Sequence, residues 1–386
     1  MYKPLFKLIV SFSLCAPFVL QAASCPTPST SRPLQVTGRY LTDAKCNNVM
    51  LRGVNLPPYK EGWQDDIARV SAAVASTKAN AVRLVWWSHI AGTPEPQTGT
   101  TYYKANDLDR AITAFSSKGI LPIVTLHDLT GKNDPVQFKK IITNFWTRTD
   151  IVNVIKKHQS HLVINIANEW GPNWFTNQGI DSKADVTNFI NTYKTAIAAI
   201  RAKGINVPLM IDANQYGNNE RIFIDNSYDQ RVNNGQYLIN TDPKHNLLFS
   251  VHTYEWEYDY NTDTAESIDP APKLDSMANS KLPFVIGEMG NVVPDGHAFS
   301  GYADLLTKAN NNNISYFAWD WYNDGTDTTL SPYRMNITLN GQYREGDGVT
   351  LPTNRDENPW GWDILNADGY GINTAIPLTM PVQFVK

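Results

Sequence analysis

The stretch HLVINIANEWG, residues 161–171, is apolar and largely β-branched from Leu162 to Ala167, apart from Asn165, and then meets Asn168, Glu169 and Trp170. A short apolar run of this kind marks a strand buried on both faces, as in a parallel sheet. Here the run ends on a carboxylate flanked by an amide and an indole. An ionisable group where a core strand stops is either the mouth of an active site or one end of a buried ion pair.

The same pattern recurs along the chain. VMLRGVNL (49–56), AVRLVWW (81–87) and LPIVTLHD (121–128) come before it, and VPLMIDAN (207–214), LLFSVHTY (247–254), PFVIGEMG (283–290) and ISYFAWDW (314–321) follow. Helical periodicity fills the intervals. DLDRAITAFSSKG puts Leu108, Ile112 and Phe115 on one face, with Gly119 placed to cap the helix. DVTNFINTYKTAIAAIRAKG does the same with Val186, Phe189, Ile190, Tyr193, Ile197 and Ile200, ending at Gly204. Eight strands alternating with helices predict an α/β fold, a (β/α)8 TIM barrel, more than an open sheet. Barrels of this kind take about 250 residues or more as one domain, so 386 residues need no second one. The polar segment 323–358 is expected to be a long loop after strand eight. NPWGWDILNADGYGI then supplies the closing helix, with Trp360 and Trp362 as packing residues.

At the N-terminus, Lys3 and Lys7 precede the apolar run LIVSFSLCAPFVL, which ends in the small residues of QAAS. That is the layout of a secretory signal peptide, residues 1–23, and the run is short for a membrane span. The mature protein is therefore expected to be secreted or periplasmic and free of the membrane after signal cleavage. Cys25 and Cys46 remain, and two cysteines in an exported chain most often pair. Such a bridge would tie the segment 24–45 to a catalytic domain spanning 46–386.

A net charge of −4 leaves no basic footprint, so no nucleic-acid partner is expected. Charged residues at 18% are sparse against roughly a quarter in average soluble proteins, whereas aromatics reach 11% with eleven Trp. That balance suits a neutral ligand with flat apolar faces.

In a TIM barrel the residues at the C-terminal strand ends form the active site. Here they are Arg83, His127, Asn168, Glu169, His252, Tyr254, Glu288 and Trp319. Each alone has a structural explanation: Arg83 could close an internal ion pair, the histidines could be satisfied core residues, Trp319 could be packing. Eight such groups at one barrel mouth argue otherwise. Glu169 and Glu288 end strands four and seven, on opposite sides of the ring, which brings their carboxyl groups close to the roughly 5 Å of a retaining glycosidase. Arg83, His252 and Tyr254 would keep Glu288 ionised as the nucleophile. Asn168 and Trp170 would give Glu169 an apolar setting that raises its pKa, suiting the acid/base. Asn168 could bond a sugar 2-hydroxyl, and Trp319, with Trp86, Trp87 or Trp174, could stack on sugar faces.

This ordered set resembles glycoside hydrolase family 5: Arg after strand two, His after strand three, Asn-Glu after strand four, His-x-Tyr after strand six, Glu after strand seven and Trp after strand eight. The resemblance runs from about Met50 to Ile376. It implies retaining endo-hydrolysis of a β-1,4-linked plant polysaccharide by a monomer without cofactor or metal. LHDLTGKND and VINIANEW are similar to bacterial β-mannanases, while HNLLFSVHTY and VPLMIDAN look equally like endoglucanases. GEMGN lacks the commoner Phe after the nucleophile, and the 323–358 loop is unfamiliar. The reading leans to an endo-β-1,4-glucanase, with endo-β-1,4-mannanase as the alternative. A metal-dependent barrel using His127, Glu169, His252 and Glu288, or a non-catalytic glycan-binding barrel, are the remote rivals. No strand end carries the lysine a Schiff-base mechanism needs.

Overall fold

The computed structural model of the chain describes residues 33–57, 63–88, 104–173, 182–254, 256, 258–259, 264–265, 269–291, 301–322, 335–339 and 348–374. Eight parallel strands close into a barrel: β1 (Arg52–Leu56), β2 (Ala81–Trp86), β3 (Leu121–Leu126), β4 (Val163–Asn165), β5 (Leu209–Asp212), β6 (Leu247–His252), β7 (Phe284–Met289) and β8 (Ser315–Ala318). The last pairs with the first, Phe317 opposite Gly53. The expected barrel is the fold.

Period-two alternation within each strand explains how such apolar runs serve two cores. Outward residues such as Val82, Leu84, Val124, Ile164, Ile211, Phe249 and Ile286 join the core shared with the helices. Inward residues near the strand starts form a separate plug: Ala81, Leu121, Ile123, Val163, Met210, Leu248, Val285 and Phe317. Gly53 makes room for that plug, because a Cβ there would lie 2.6 Å from the Phe317 ring. One step higher the inward positions turn polar: Asn55, Arg83, Thr125, Asn165, Asp212 and Ser250, all buried. The barrel is thus greasy at its base and polar towards its C-terminal mouth.

The helices form as their patterns require. Ala105–Ser116 buries Leu108, Ala111, Ile112 and Phe115, and Gly119 follows at φ +77°. Lys183–Ala202 starts at a reciprocal capping box between Ser182 and Asp185 and buries the six apolar residues anticipated. A three-stranded antiparallel sheet, Gln35–Thr37, Tyr40–Thr42 and Asn48–Val49, closes the barrel base through Leu34, Leu41 and Val49. Cys46 is disulfide-bonded, while Cys25 and the segment 1–23 expected to be a signal peptide lie outside the described residues.

Of the loop expected at 323–358, residues 335–339 and 348–358 are described. They return to the barrel mouth: Ile337 N donates to Asp320 O at 2.9 Å and Thr338 N to Trp321 O at 3.1 Å. The helix Pro359–Asn366 follows, its Trp360 buried against Tyr302 with Nε1 donating to Met335 O.

Candidate active site

All eight anticipated residues stand at the barrel mouth, and Arg83 is the hub of the network beneath it. Its guanidinium is fully buried and its N–H groups reach six acceptors. Nη1 donates to Glu288 Oε1 at 2.6 Å and to Asn55 Oδ1 at 3.0 Å. Nη2 faces Asn168 Oδ1 at 2.7 Å, Asp212 Oδ2 at 3.2 Å and Thr125 Oγ1 at 3.2 Å, and Nε donates to Asn165 Oδ1 at 3.0 Å. The planar five-donor fork of arginine suits this cage as the three donors of a lysine would not.

Glu288, in β7, pairs with His252 of β6 across the sheet. Its Oε1 accepts from Arg83, and its Oε2 accepts from the Tyr254 hydroxyl at 3.0 Å. Burial pushes the Glu288 carboxyl up to about 7, against the opposing pull of Arg83; Asp212 adds to the rise and the Tyr254 bond opposes it. The expectation that its donors would simply hold Glu288 ionised needs this correction. Desolvation outweighs them, so the carboxyl is held above the ordinary carboxylate range.

Glu169 lies just past β4 in left-handed backbone, φ +47°, and is 9% exposed. Its N–H donates to Asp212 Oδ2 at 3.2 Å and its carbonyl accepts from Gly131 N at 3.1 Å. The turn, with Gly171 at φ +140°, sends neighbouring side chains to opposite sides. Trp170 consequently packs outwards on Phe138, Phe189 and Tyr193 rather than serving as the indole expected beside the carboxyl. The ring of His252 takes that place: Nδ1 is 2.7 Å from Glu169 Oε1 and 3.7 Å from Glu288 Oε2. One ligand atom each of Glu169, His252 and Glu288 lies within 4.8 Å of the others.

Two glycines let backbone press against that imidazole. A Cβ at Gly217, φ +79°, would lie 2.5 Å from His252 Cγ, and one at Gly287 would lie 2.2 Å from Ser250 Oγ and 3.1 Å from His252 Nε2. Burial holds His252 well below the ordinary histidine range, helped by the positive charge of Arg83 and by His127. Burial and Arg83 do the same to His127. Both rings are therefore neutral at pH 7, and burial together with Glu288 and Glu169 pushes the Tyr254 phenol well above its usual range, leaving it a proton-bearing donor.

The mouth is walled by rings. His127 stacks on half-buried Trp319 at a centroid separation of 6.0 Å and meets Trp87 at 6.2 Å. Among the described residues, no partner reaches His127 Nε2 or Trp87 Nε1. Asn168 gives one amide N–H to Thr130 Oγ1 at 2.9 Å, which leaves its second for a ligand. Trp86 is buried in the outer core and Trp256 is buried with Nε1 on Asn218 O, so neither offers a stacking face; Trp174 lies outside the described residues.

Four members of the network carry no motif: Asn55, Thr125, Asn165 and Asp212. The signal that finds them is a polar residue at an inward-register position inside an otherwise apolar strand, as in LMID or VIN.

Two carboxyl groups this close, one beside a cation and one against a neutral imidazole, are equipped for nucleophilic attack and proton delivery on opposite faces of one bond. The family model of the cellulases, glycosyl hydrolase family 5, matches residues 42–325. The mannan endo-1,4-β-mannosidase of Cellvibrio japonicus is 27% identical over 323 residues, which cover 81% of this chain and 64% of that protein. The chain thus spans less than two thirds of that relative's length. The enzyme of the same name from Salipaludibacillus agaradhaerens is 25% identical over 298 residues, 76% of this chain and 82% of that one. In fold, the mannotriose complex of Thermomonospora fusca β-mannanase superposes with a TM-score of 0.64 at 21% identity, over 89% of this chain and 97% of that one.

Proposed function

Because the chain belongs to glycosyl hydrolase family 5, we propose that it is a secreted retaining endo-β-1,4-mannanase with Glu288 as nucleophile and Glu169 as acid/base. The observation that carries the mechanism is the Glu169–His252–Glu288 cluster, its ligand atoms within 4.8 Å of one another. That spacing suits double displacement, in which roughly 5 Å separates the carboxyl groups, and leaves no room for the attacking water of an inverting enzyme.

Ionised Glu288 attacks the anomeric carbon while Glu169 delivers its proton to the departing oxygen. Glu169, now a carboxylate, then draws a proton from water as that water attacks the glycosyl-enzyme. Arg83 and Tyr254 hold the nucleophile's oxygens in line. Asn168 offers its remaining N–H to the sugar 2-hydroxyl, while His127 and Trp319 hold the ring on the glycone side.

The choice of mannan over glucan rests on relatives whose names state mannan endo-1,4-β-mannosidase. It reverses the leaning drawn from the strand strings, of which LHDLTGKND and VINIANEW point to mannanases and HNLLFSVHTY and VPLMIDAN to endoglucanases. The discriminating groups sit on loops, whereas the strand ends serve the chemistry shared by both. The cluster's spacing would also admit a cation, but Arg83 Nη1 donates to Glu288 Oε1 at 2.6 Å, so a metal there would face a guanidinium. Residues 1–23 are read as the export signal, 24–45 as an N-terminal segment tied by a disulfide, and 46–386 as one catalytic domain acting as a monomer.

Product release from galactomannan, barley β-glucan and carboxymethylcellulose tests this, with wild type and Glu288→Ala side by side. Galactomannan cleavage that vanishes in the variant is expected. Cleavage of the glucans alone would return the substrate to cellulose, and an active Glu288→Ala would remove the nucleophile assignment.

A further inference from the structure

Asp212 ends β5 directly below the two glutamates, and its side chain is fully buried. Burial raises its pKa, opposed by Arg83, by the Glu169 N–H, by the Ser250 hydroxyl and by Asn165. A carboxylate in a barrel core is costly, and apolar packing generally serves stability as well or better. Its neighbours indicate what it is kept for. Oδ2 accepts from Arg83 Nη2 at 3.2 Å and from the Glu169 N–H at 3.2 Å, and Oδ1 accepts from Asn165 Nδ2 at 3.0 Å. The same Oδ2 lies 3.5 Å from His252 Nε2. It therefore touches the residue that holds the nucleophile, the backbone that carries the acid/base, and the ring between them.

We propose that Asp212 is a positioning residue for the catalytic pair, fixing the Glu169 turn and directing the single ring proton of His252 to Nε2. The inference rests on the roles assigned above to Glu169 and Glu288. Carboxyl groups meet His252 at both nitrogens: Glu169 and Glu288 at Nδ1, Asp212 at Nε2. Arg83, His127, Tyr254, Tyr193, Tyr216 and Asp320 are the other titratable groups that act on this centre among the described residues. A proton on Nδ1 would turn the Nε2 lone pair towards Asp212, leaving two acceptors facing with no proton between them. A proton on Nε2 faces the Asp212 carboxylate, 3.5 Å away and short of a formed hydrogen bond, and the bare Nδ1 then accepts the O–H of protonated Glu169. The second arrangement keeps the proton that Glu169 must deliver on the acid until the leaving oxygen takes it. The Glu169 N–H bond to Asp212 supplies the rest, since a left-handed non-glycine residue persists only where its surroundings hold it.

Asp212→Asn keeps the shape and removes the charge. On galactomannan, kcat should fall roughly tenfold to a hundredfold, the usual effect of removing a partner that orients an active-site ligand, with KM changed less than about twofold. The acid limb of the pH–rate profile should also move to lower pH, because a negative charge that raises Glu288 is gone. A purely structural residue would not shift that limb in a set direction. The second readout needs neither substrate nor variant: nitrogen NMR of histidine-labelled wild type should show His252 protonated at Nε2 and bare at Nδ1. A proton on Nδ1, or an Asp212→Asn enzyme with unaltered kcat and pH profile, would overturn the inference. Failure of the functional reading shows elsewhere, as wild type that cuts no glycan or Glu288→Ala that still does.

Discussion

Arg83 Nη1 donates to Glu288 Oε1 across 2.6 Å, with the guanidinium fully buried and the carboxylate nearly so. This bond joins the two layers of the site: the polar cage inside the barrel and the carboxyl group at its mouth. Arg83→Lys retains the charge and loses the fork. A charge-assisted hydrogen bond contributes about 1.5–3 kcal/mol, so kcat/KM should fall roughly tenfold to a hundredfold. The acid limb should move to higher pH, because the bond that draws Glu288 downward weakens. The pH dependence of kcat/KM checks both, and an unmoved limb would show that Arg83 does not set the nucleophile's charge.

Glu288 also makes stability depend on pH. Its carboxyl sits at about 7 in the folded chain against an ordinary 4.5. Between those values the folded state holds a proton the unfolded state has released, so the associated stability is complete below about 4.5 and lost as pH rises through 7. Glu288→Gln removes the titration. Thermal melts should therefore show the variant gaining on wild type from pH 4.5 to 7.5, by something on the order of 3 kcal/mol at the upper end. A constant gap across that range would mean the carboxyl is not raised by folding.

The acid/base role has its own signature. Glu169→Ala should cut galactomannan about 10²–10⁴-fold more slowly, the usual contribution of general acid–base catalysis. An aryl β-mannobioside with an activated leaving group needs no proton and should still form the glycosyl-enzyme. Azide needs no general base and should speed turnover, giving a β-glycosyl azide. An α-configured product, or no rescue with the activated substrate, would reassign Glu169.

How far the sequence discloses this site depends on what each residue answers to. The strands were legible because each buries both faces, and the strand-end residues because the barrel sends strand ends to the mouth. Glu169 could be located this way but not its surroundings: a left-handed turn at φ +47° decides that Trp170 faces Phe138 and Tyr193, and no periodicity encodes it. The charge state of Glu288 was illegible for a related reason, since it reflects desolvation set by the whole barrel. Asp212 stood in plain view at the end of LMID, but only register shows that it points inwards beneath Arg83. Substrate choice stayed hidden because the legible positions are strand ends, whereas specificity is generally carried by loops.

Gly217 adopts φ +79°, and a Cβ added there would lie 2.5 Å from His252 Cγ, 2.8 Å from its Cβ and 2.9 Å from Nδ1. Gly217→Ala therefore meets two penalties: strain in the left-handed region, about 1–3 kcal/mol, and a collision with the ring that stands between the glutamates. His252 cannot retreat freely, because its own N–H donates to Gly217 O at 2.8 Å and Gly287 presses its Nε2 edge. The ring should tilt away from Glu169, so kcat should drop more than KM rises while the melting temperature falls by several degrees. Gly38→Ala separates the two effects. Gly38 has a similar φ of +59° with nothing within 4 Å of the added carbon, in a turn at the opposite end of the barrel. That variant should lose stability by the strain alone and keep full kcat. Equal kcat in both variants would mean that the contact between Gly217 and His252 has no part in catalysis.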